Sequence, residues 1–305
     1  MIVLDNVSKS FGDSKVLNGV SFSVNDCSIY GLIGYNGAGK TTLLNIISGL
    51  YKADGGTVSI DIGDKKMIPF DNPEVKRSLF YVTDDPYYFP NSNLISMRDF
   101  YCGFYPEWSD ESFKKLSDLF GISVTKRIGD FSKGMKRQAA IILGMSARPR
   151  YLLLDESFDG LDPNIRVLVS NLLAEYIAET NGSVIAASHN LYELENICDT
   201  VGMINGNKMI YSCDIDELKS KAYKYRVAVD GRVSSDVAKL LSLKFFKNEA
   251  GIYTFQSSDN EEKVREVFSR YGEIKLFECF GMSLNEIFVY ETEGKANEIE
   301  GIFAK

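Results

Sequence analysis

The stretch "GYNGAGKT" (Gly34–Thr41) has the form G-x-x-x-x-G-K-[ST], and its residue types are those that phosphate binding needs. Gly34, Gly37 and Gly39 let backbone N–H groups curl around an anion without side-chain clashes. A helix starting after them points its positive end at the same anion. Lys40 can reach the β- and γ-phosphates of a nucleotide, and Thr41 can place its hydroxyl on Mg²⁺. Asn36 and Thr42 belong to the same binding loop. A second group closes "YLLLDE" (Tyr151–Glu156), an apolar run ending in two carboxylates, which is costly unless the charges meet a metal or perform chemistry. Asp155 would help hold Mg²⁺, directly or through water. Glu156 would take a proton from the attacking water or orient it. Together these are the parts of a hydrolase of ATP or GTP. The chain's one histidine, His189 in "AASHN", is the third candidate. A lone histidine is more often a satisfied structural group than a catalytic one, and the residues themselves leave both readings open.

The elements that must position these groups read as α/β. "IVLDNVSKSF" and "GVSFSV" alternate apolar and polar residues, as half-buried strands do. "SIYGLIG" (Ser28–Gly34) is a nearly continuous apolar run, as expected of a central strand covered on both faces. "KTTLLNIISGL" follows at helical spacing, with Gly49 as its stop. "YLLLD" and "GSVIAAS" are two more buried strands, separated by the amphipathic "NIRVLVSNLLAEYIAE". Strands alternating with helices predict a mostly parallel sheet. Between about residues 86 and 150, prolines, aromatics and short helical patterns such as "DESFKKLSDLFG" predict an inserted helical subdomain. Past Asp214, "KYRVAV", "SSDVAKLLSL", "IYTFQS", "NEEKVREVFSRYG", "EIKLFECF" and "SLNEIFVYET" read strand and helix in turn. They predict a small α+β accessory domain at 221–305, without a phosphate loop or catalytic cluster, its boundary near Lys219–Lys221.

The 305 residues are 45% apolar and 25% charged, a globular composition. Thirty-four basic side chains against 42 acidic ones give a net charge of −8, which offers nucleic-acid phosphates no general attraction. Five scattered cysteines show no metal-like spacing and read as reduced cytosolic thiols, most of them buried. No signal peptide is expected, nor any run of about 18 apolar residues to span a membrane. Work at a membrane would require another chain to supply the span.

With these residues in place, residues 1–220 resemble the ATP-binding subunit of an ABC transporter. "FSKGMKRQ" (Phe131–Gln138) stands where that family has its Leu-Ser-Gly-Gly-Gln signature. "SFDGLDP" (Ser157–Pro163) is similar to the loop after the catalytic glutamate, and "SHN" to the switch histidine. The resemblance implies an ABC-type P-loop ATPase fold: a mostly parallel core sheet, an antiparallel N-terminal β part and the helical insertion. It implies that Phe11 stacks on adenine and that His189 contacts the γ-phosphate and aligns the water. It further implies a head-to-tail homodimer closed around two ATPs with Mg²⁺. Ser132 and Gly134 would reach a γ-phosphate across that interface, and Asp162 would cross it. A membrane-spanning subunit would hold the chain at the cytoplasmic face, with the helical insertion as its docking groove.

This sequence departs from the family pattern at several points. Lys133 replaces the first signature glycine, Met135 the usual glutamine, and Ser157 a proline. Asp84 of "YVTDDP" falls where a glutamine normally approaches Mg²⁺, and its carboxylate is shorter. The "SKGM" variant, the separate ATPase chain and the C-terminal extension resemble ABC-2 type exporters of drugs, lipids, polysaccharides and peptides, phenol-soluble modulins among them. Export of a peptide or drug is therefore expected, with an importer ATPase as the alternative. A soluble ABC ATPase acting on ribosomes or DNA fits less well. There is one P-loop, and no sustained heptads lie between Lys40 and Ser132.

Overall fold

The structure is a computed structural model that describes residues 1–220, 223–234 and 236–291. The chain divides into two compact units, Met1–Cys213 and Asp214–Lys305. The boundary expected at Lys219–Lys221 runs into residues 221–222, outside the described residues, as does the end of the extension past residue 291.

The first unit contains two sheets. Strands β1 (Ile2–Phe11), β2 (Ser14–Val24), β4 (Gly55–Ile62) and β5 (Lys65–Met67) form an antiparallel sheet in the order β2-β1-β4-β5. The core sheet runs β10-β9-β3-β8-β7-β6. In it β3 (Ile29–Gly34), β6 (Leu79–Val82), β7 (Tyr151–Asp155), β8 (Ser183–Ser188) and β9 (Thr200–Asn205) pair in parallel. β10 spans Lys208–Asp214 at its edge. Every residue of β3, β7 and β8 is buried, as continuous apolar runs predict for strands covered on both faces.

Helix α1 (Lys40–Ile47) joins the two sheets into one apolar cluster. Leu43, Leu44 and Ile47 on it are fully buried, each contributing about 1.5–3 kcal/mol relative to exposure. Leu44→Ala would cost about 2–5 kcal/mol. Short helices α2 (Pro73–Ser78) and α7 (Leu191–Glu195) flank the core sheet strands, and α6 (Pro163–Thr180) connects β7 to β8. The insertion between β6 and β7 carries α3 (Leu94–Tyr101), α4 (Asp110–Phe120) and α5 (Lys133–Ser146). Local chemistry sets their ends. Ser109 caps α4, which stops at Gly121 in the left-handed region (φ 65). Ser132 caps α5, while Asp162 caps α6 with Pro163 in its first turn. The expected α/β fold, antiparallel N-terminal part and helical insertion are all present.

The second unit is a four-stranded antiparallel sheet in the order β12-β13-β11-β14. Its strands are β11 (Tyr223–Val229), β12 (Leu243–Glu249), β13 (Ile252–Ser257) and β14 (Ile274–Gly281). Its helices are α8 (Ile215–Lys219), α9 (Val237–Leu240), α10 (Glu261–Ser269) and α11 (Leu284–Glu291). The stretch expected as one helix, "SSDVAKLLSL", is a four-residue helix leading into β12, a strand the pattern did not suggest. Ala250 (φ 52) and Gly251 (φ 87) make a left-handed turn that pairs the lysine-rich β12 with β13. Its charged residues hide the alternation. The cysteines are a second correction: all five are free, but only Cys198 is buried, with Cys27 and Cys102 exposed. Among the described residues, no helix is long and apolar enough to cross a membrane.

Candidate active site

The phosphate loop forms because β3 ends at Gly34 and α1 begins at Lys40, leaving five residues to turn. Gly37 (φ 80) and Gly39 (φ 107) adopt left-handed backbone, and a Cβ on Gly39 would come within 2.8 Å of Leu17. No larger residue fits there. Lys40 is 5% exposed; its Nζ donates to the Gly34 carbonyl at 2.7 Å and pairs with Glu156 Oε1 at 3.1 Å.

Glu156 follows the last residue of β7 in left-handed backbone (φ 47), and its N–H donates to the Ala187 carbonyl at 2.9 Å. That turn aims its carboxylate between Lys40 and His189. Oε2 lies 2.7 Å from His189 Nδ1 and accepts the His189 backbone N–H at 3.3 Å. One carboxylate thus holds the loop lysine on one oxygen and the sole histidine on the other. An ionised Glu156 selects the Nδ1–H tautomer, which leaves Nε2 available to a ligand. Glu193 supports this loop from behind, accepting from Ser188 Oγ at 3.1 Å and Asn190 Nδ2 at 2.9 Å.

Asp155 is fully buried at the end of β7. Burial pushes its carboxyl pKa up, against hydrogen bonds from the Thr41 and Tyr81 hydroxyls, while the neighbouring Glu156 charge raises it further. The Tyr81 hydroxyl donates to Oδ2 at 3.2 Å, but Oδ1 has no hydrogen-bond partner. A buried carboxylate beside Thr41 with an orphaned oxygen fits a divalent cation that would complete its coordination.

A pocket of about 370 Å³ gathers most of the expected residues. Asn36, Gly37, Gly39, Lys40, Thr41 and Thr42 line it from the cradle, and Glu156 and His189 from the strand ends. Asp84 lines it too, but its Oδ1 is engaged by Arg137, so the carboxylate expected near Mg²⁺ is directed at a guanidinium. Six expected residues lie outside the lining: Gly34, whose carbonyl accepts from Lys40, Asp155 at the end of β7, and four more. Phe11 is 47% exposed at the end of β1, edge-on to Tyr51 with centroids 5.6 Å apart. Ser132 accepts from Met135 N–H at 3.2 Å as the cap of α5. Gly134 abuts the Gly160 carbonyl, which a Cβ would approach to 2.9 Å. Asp162 accepts from Ile165 N–H at 3.1 Å. Val16, Lys133 and Asp159 also line the pocket, and none of them was expected there from sequence. Two of them lie within the quoted motifs, whereas Val16 carries no signal beyond its strand pattern.

A second cavity of about 510 Å³ lies between β6 and the helical insertion, walled by Phe80, Tyr87, Tyr88, Tyr101, Tyr105 and Leu143 among others. The Tyr88 hydroxyl donates to the Lys136 carbonyl at 2.5 Å. Phe89, Phe100 and Phe104 continue the aromatic surface at 42%, 41% and 55% exposure, with successive ring centroids 4.9 Å apart.

The chain is similar to known proteins. The model of the "ABC transporter" family matches residues 17–159. The ABC transporter ATP-binding protein YtrB of Bacillus subtilis is 30% identical over 97% of this chain and 99% of its own. The methionine import ATP-binding protein MetN of Clostridium tetani is 28% identical over 72% of this chain and 70% of its own. A solved ATP-binding subunit of an ABC transporter, 24% identical, superposes with a TM-score of 0.64 over 72% of this chain and 92% of its own, which shows the fold. The chain therefore belongs to the ABC transporter family as an ATP-binding subunit, an ATPase that uses ATP and Mg²⁺.

Proposed function

We propose that this subunit pairs head to tail with a second copy around two ATPs and powers export, of a peptide or drug, through a separate membrane subunit. It would work at the cytoplasmic face, held there by that subunit. The observation that carries the catalytic part is the Glu156 carboxylate fixed between Lys40 Nζ and His189 Nδ1. In that role Glu156 is the general base toward water, and His189 orients the γ-phosphate side of the reaction. Lys40 and the loop residues Gly34, Asn36, Gly37, Gly39, Thr41 and Thr42 hold the phosphates. Thr41 and Asp155 hold Mg²⁺, which neutralises charge on the phosphate oxygens when bound. Phe11 would receive the adenine, consistent with its half-exposed ring. The caps at Ser132 and Asp162, with Gly134 in the first turn of α5, stand outside this chain's own pocket. That supports their action on the nucleotide of a second copy.

The signature variant with Lys133 and Met135 supports export; the likeness to a methionine import protein favours the importer alternative. The aromatic groove supports docking of an apolar helix from the membrane subunit. We assign 221–305 as an accessory domain. Two measurements test the proposal. Glu156→Gln with ATP and Mg²⁺ should sediment as a dimer and revert to monomer without ATP. ATP-driven uptake of a substrate peptide or drug into inside-out vesicles containing the complex supports export. Uptake confined to right-side-out vesicles would establish import instead.

A further inference from the structure

Arg137, in the second turn of α5, is the largest fully buried side chain among the described residues. A buried guanidinium is costly unless carboxylates meet it, and here two do. Nη2 engages Asp84 Oδ1 and lies 3.3 Å from the Asp84 carbonyl. Nη1 donates to the Asp159 carbonyl and stands 3.2 Å from its Oδ2. Nε meets no acceptor, so the whole hydrogen-bonding reach of the group is spent on these two residues. Both line the nucleotide pocket.

Asp159 is tied directly to Glu156, because its N–H donates to the Glu156 carbonyl at 3.1 Å. Gly160 follows in left-handed backbone (φ +73), and a Cβ there would lie 3.3 Å from Arg137 Nη1, so the turn closes onto the guanidinium. Burial works to raise the Asp159 pKa, yet the Arg137 hydrogen bond and the charges of Arg137, Lys133 and His189 leave it below the usual carboxylate range. The carboxylates themselves are half exposed, 56% for Asp84 and 50% for Asp159, whereas the arginine is held by the packing of α5. The fixed partner is the cation.

We propose that Arg137 is a positioning residue for ATP hydrolysis, holding the Glu156–Asp159 turn with one nitrogen and the Asp84 segment with the other. Buried and outside the pocket lining, it sets where Glu156 stands relative to Lys40 and His189. The inference rests on Glu156 as the base. It also gives Asp84 a structural partner in place of a metal.

The test uses the full-length chain with Arg137→Met, Arg137→Lys, Asp84→Asn and Glu156→Gln, plus the pair Arg137→Met and Asp159→Asn singly and together. Arg137→Met should bind a fluorescent ATP analogue nearly as the parent does while kcat falls about 10- to 100-fold, the scale of a displaced catalytic group. Arg137→Lys should recover part of the loss, since an ammonium lacks the fork that reaches two carboxylates. The double variant should fall no further than Arg137→Met. Asp84→Asn should keep the parent's Mg²⁺ half-saturation. Normal kcat in Arg137→Met, additive losses, or a raised Mg²⁺ requirement in Asp84→Asn would each overturn the proposal. So would a kcat loss matched by equal losses of affinity and melting temperature. Water can replace the guanidinium at half-exposed carboxylates, so Arg137→Met is expected to fold. Should it not, Arg137→Lys and Asp159→Asn must show the same loss of kcat without loss of affinity. Near-normal turnover by Glu156→Gln removes the base assignment instead; an inactive Glu156→Gln beside an unaltered Arg137→Met removes only the role of Arg137.

Discussion

The nucleotide pocket and the aromatic groove meet at the segment after β6, where Asp84 faces one and Thr83, Pro86 and Tyr87 face the other. They are built from opposite materials. In the pocket, charged groups are paired within the chain, each pair with at least one member shielded from water: Lys40 with Glu156, Glu156 with His189, Arg137 with Asp84 and Asp159. In the groove, rings of Tyr87, Phe89 and Phe104 keep 42–74% of their surface open to solvent. Charge chemistry requires groups fixed before the ligand arrives, whereas apolar docking requires surface that stays unsatisfied until a partner covers it. Damage to the first should therefore appear as lost turnover, and damage to the second as lost assembly.

The largest effect is expected at His189. His189→Ala should depress kcat by about 10²-fold or more, the scale of a lost acid–base or alignment role, with ATP binding retained. Because the ring is 46% exposed, melting temperature should hardly change. A destabilised variant that regains activity on cooling would place His189 with the structural groups. Next, Tyr88→Ser with Phe89→Ser should leave a folded chain that still hydrolyses ATP but no longer co-purifies with its membrane subunit. Loss of thermal stability and ATP binding together would make those rings part of the insertion's own core, and survival of both properties with the complex would move the groove elsewhere.

The smallest effect is one on stability, and it runs opposite to the effect on function. The Asp155 pKa is raised in the folded chain, so ionising this carboxyl costs folding stability, a penalty that grows as pH rises above the carboxyl's unfolded pKa. Asp155→Asn should therefore raise the melting temperature, measured without nucleotide or Mg²⁺, by about 2–4 °C. Hydrolysis should be lost at the same time. An Asn variant less stable than the parent would mean that the carboxylate is satisfied by the fold alone.

Much of the pocket was legible in the sequence because its chemistry lies in short contiguous runs. "GYNGAGKT" sits between an apolar strand and a helix, and "YLLLDE" carries both carboxylates on one strand end. The place of His189 in the pocket needed only three letters once the other motifs were in order. Arg137 escaped notice because its partners are distant in the chain, Asp84 by 53 residues and Asp159 by 22, and no local pattern announces a pairing across the fold. β12 escaped because its lysines and the adjacent pair Phe245–Phe246 break the alternation that marks a half-buried strand. The exposure of Cys27 and Cys102 follows from their places at a turn and a helix end, which composition does not encode.

The central claim is that Glu156, held between Lys40 and His189, is the base that makes this chain an ATPase. Single-turnover hydrolysis by Glu156→Gln, measured beside ATP binding on the same preparation, tests it most directly. The account predicts unchanged or tighter ATP binding with the chemical step slowed about 10²-fold or more. Hydrolysis at the parent's rate by a variant that binds ATP normally would contradict it.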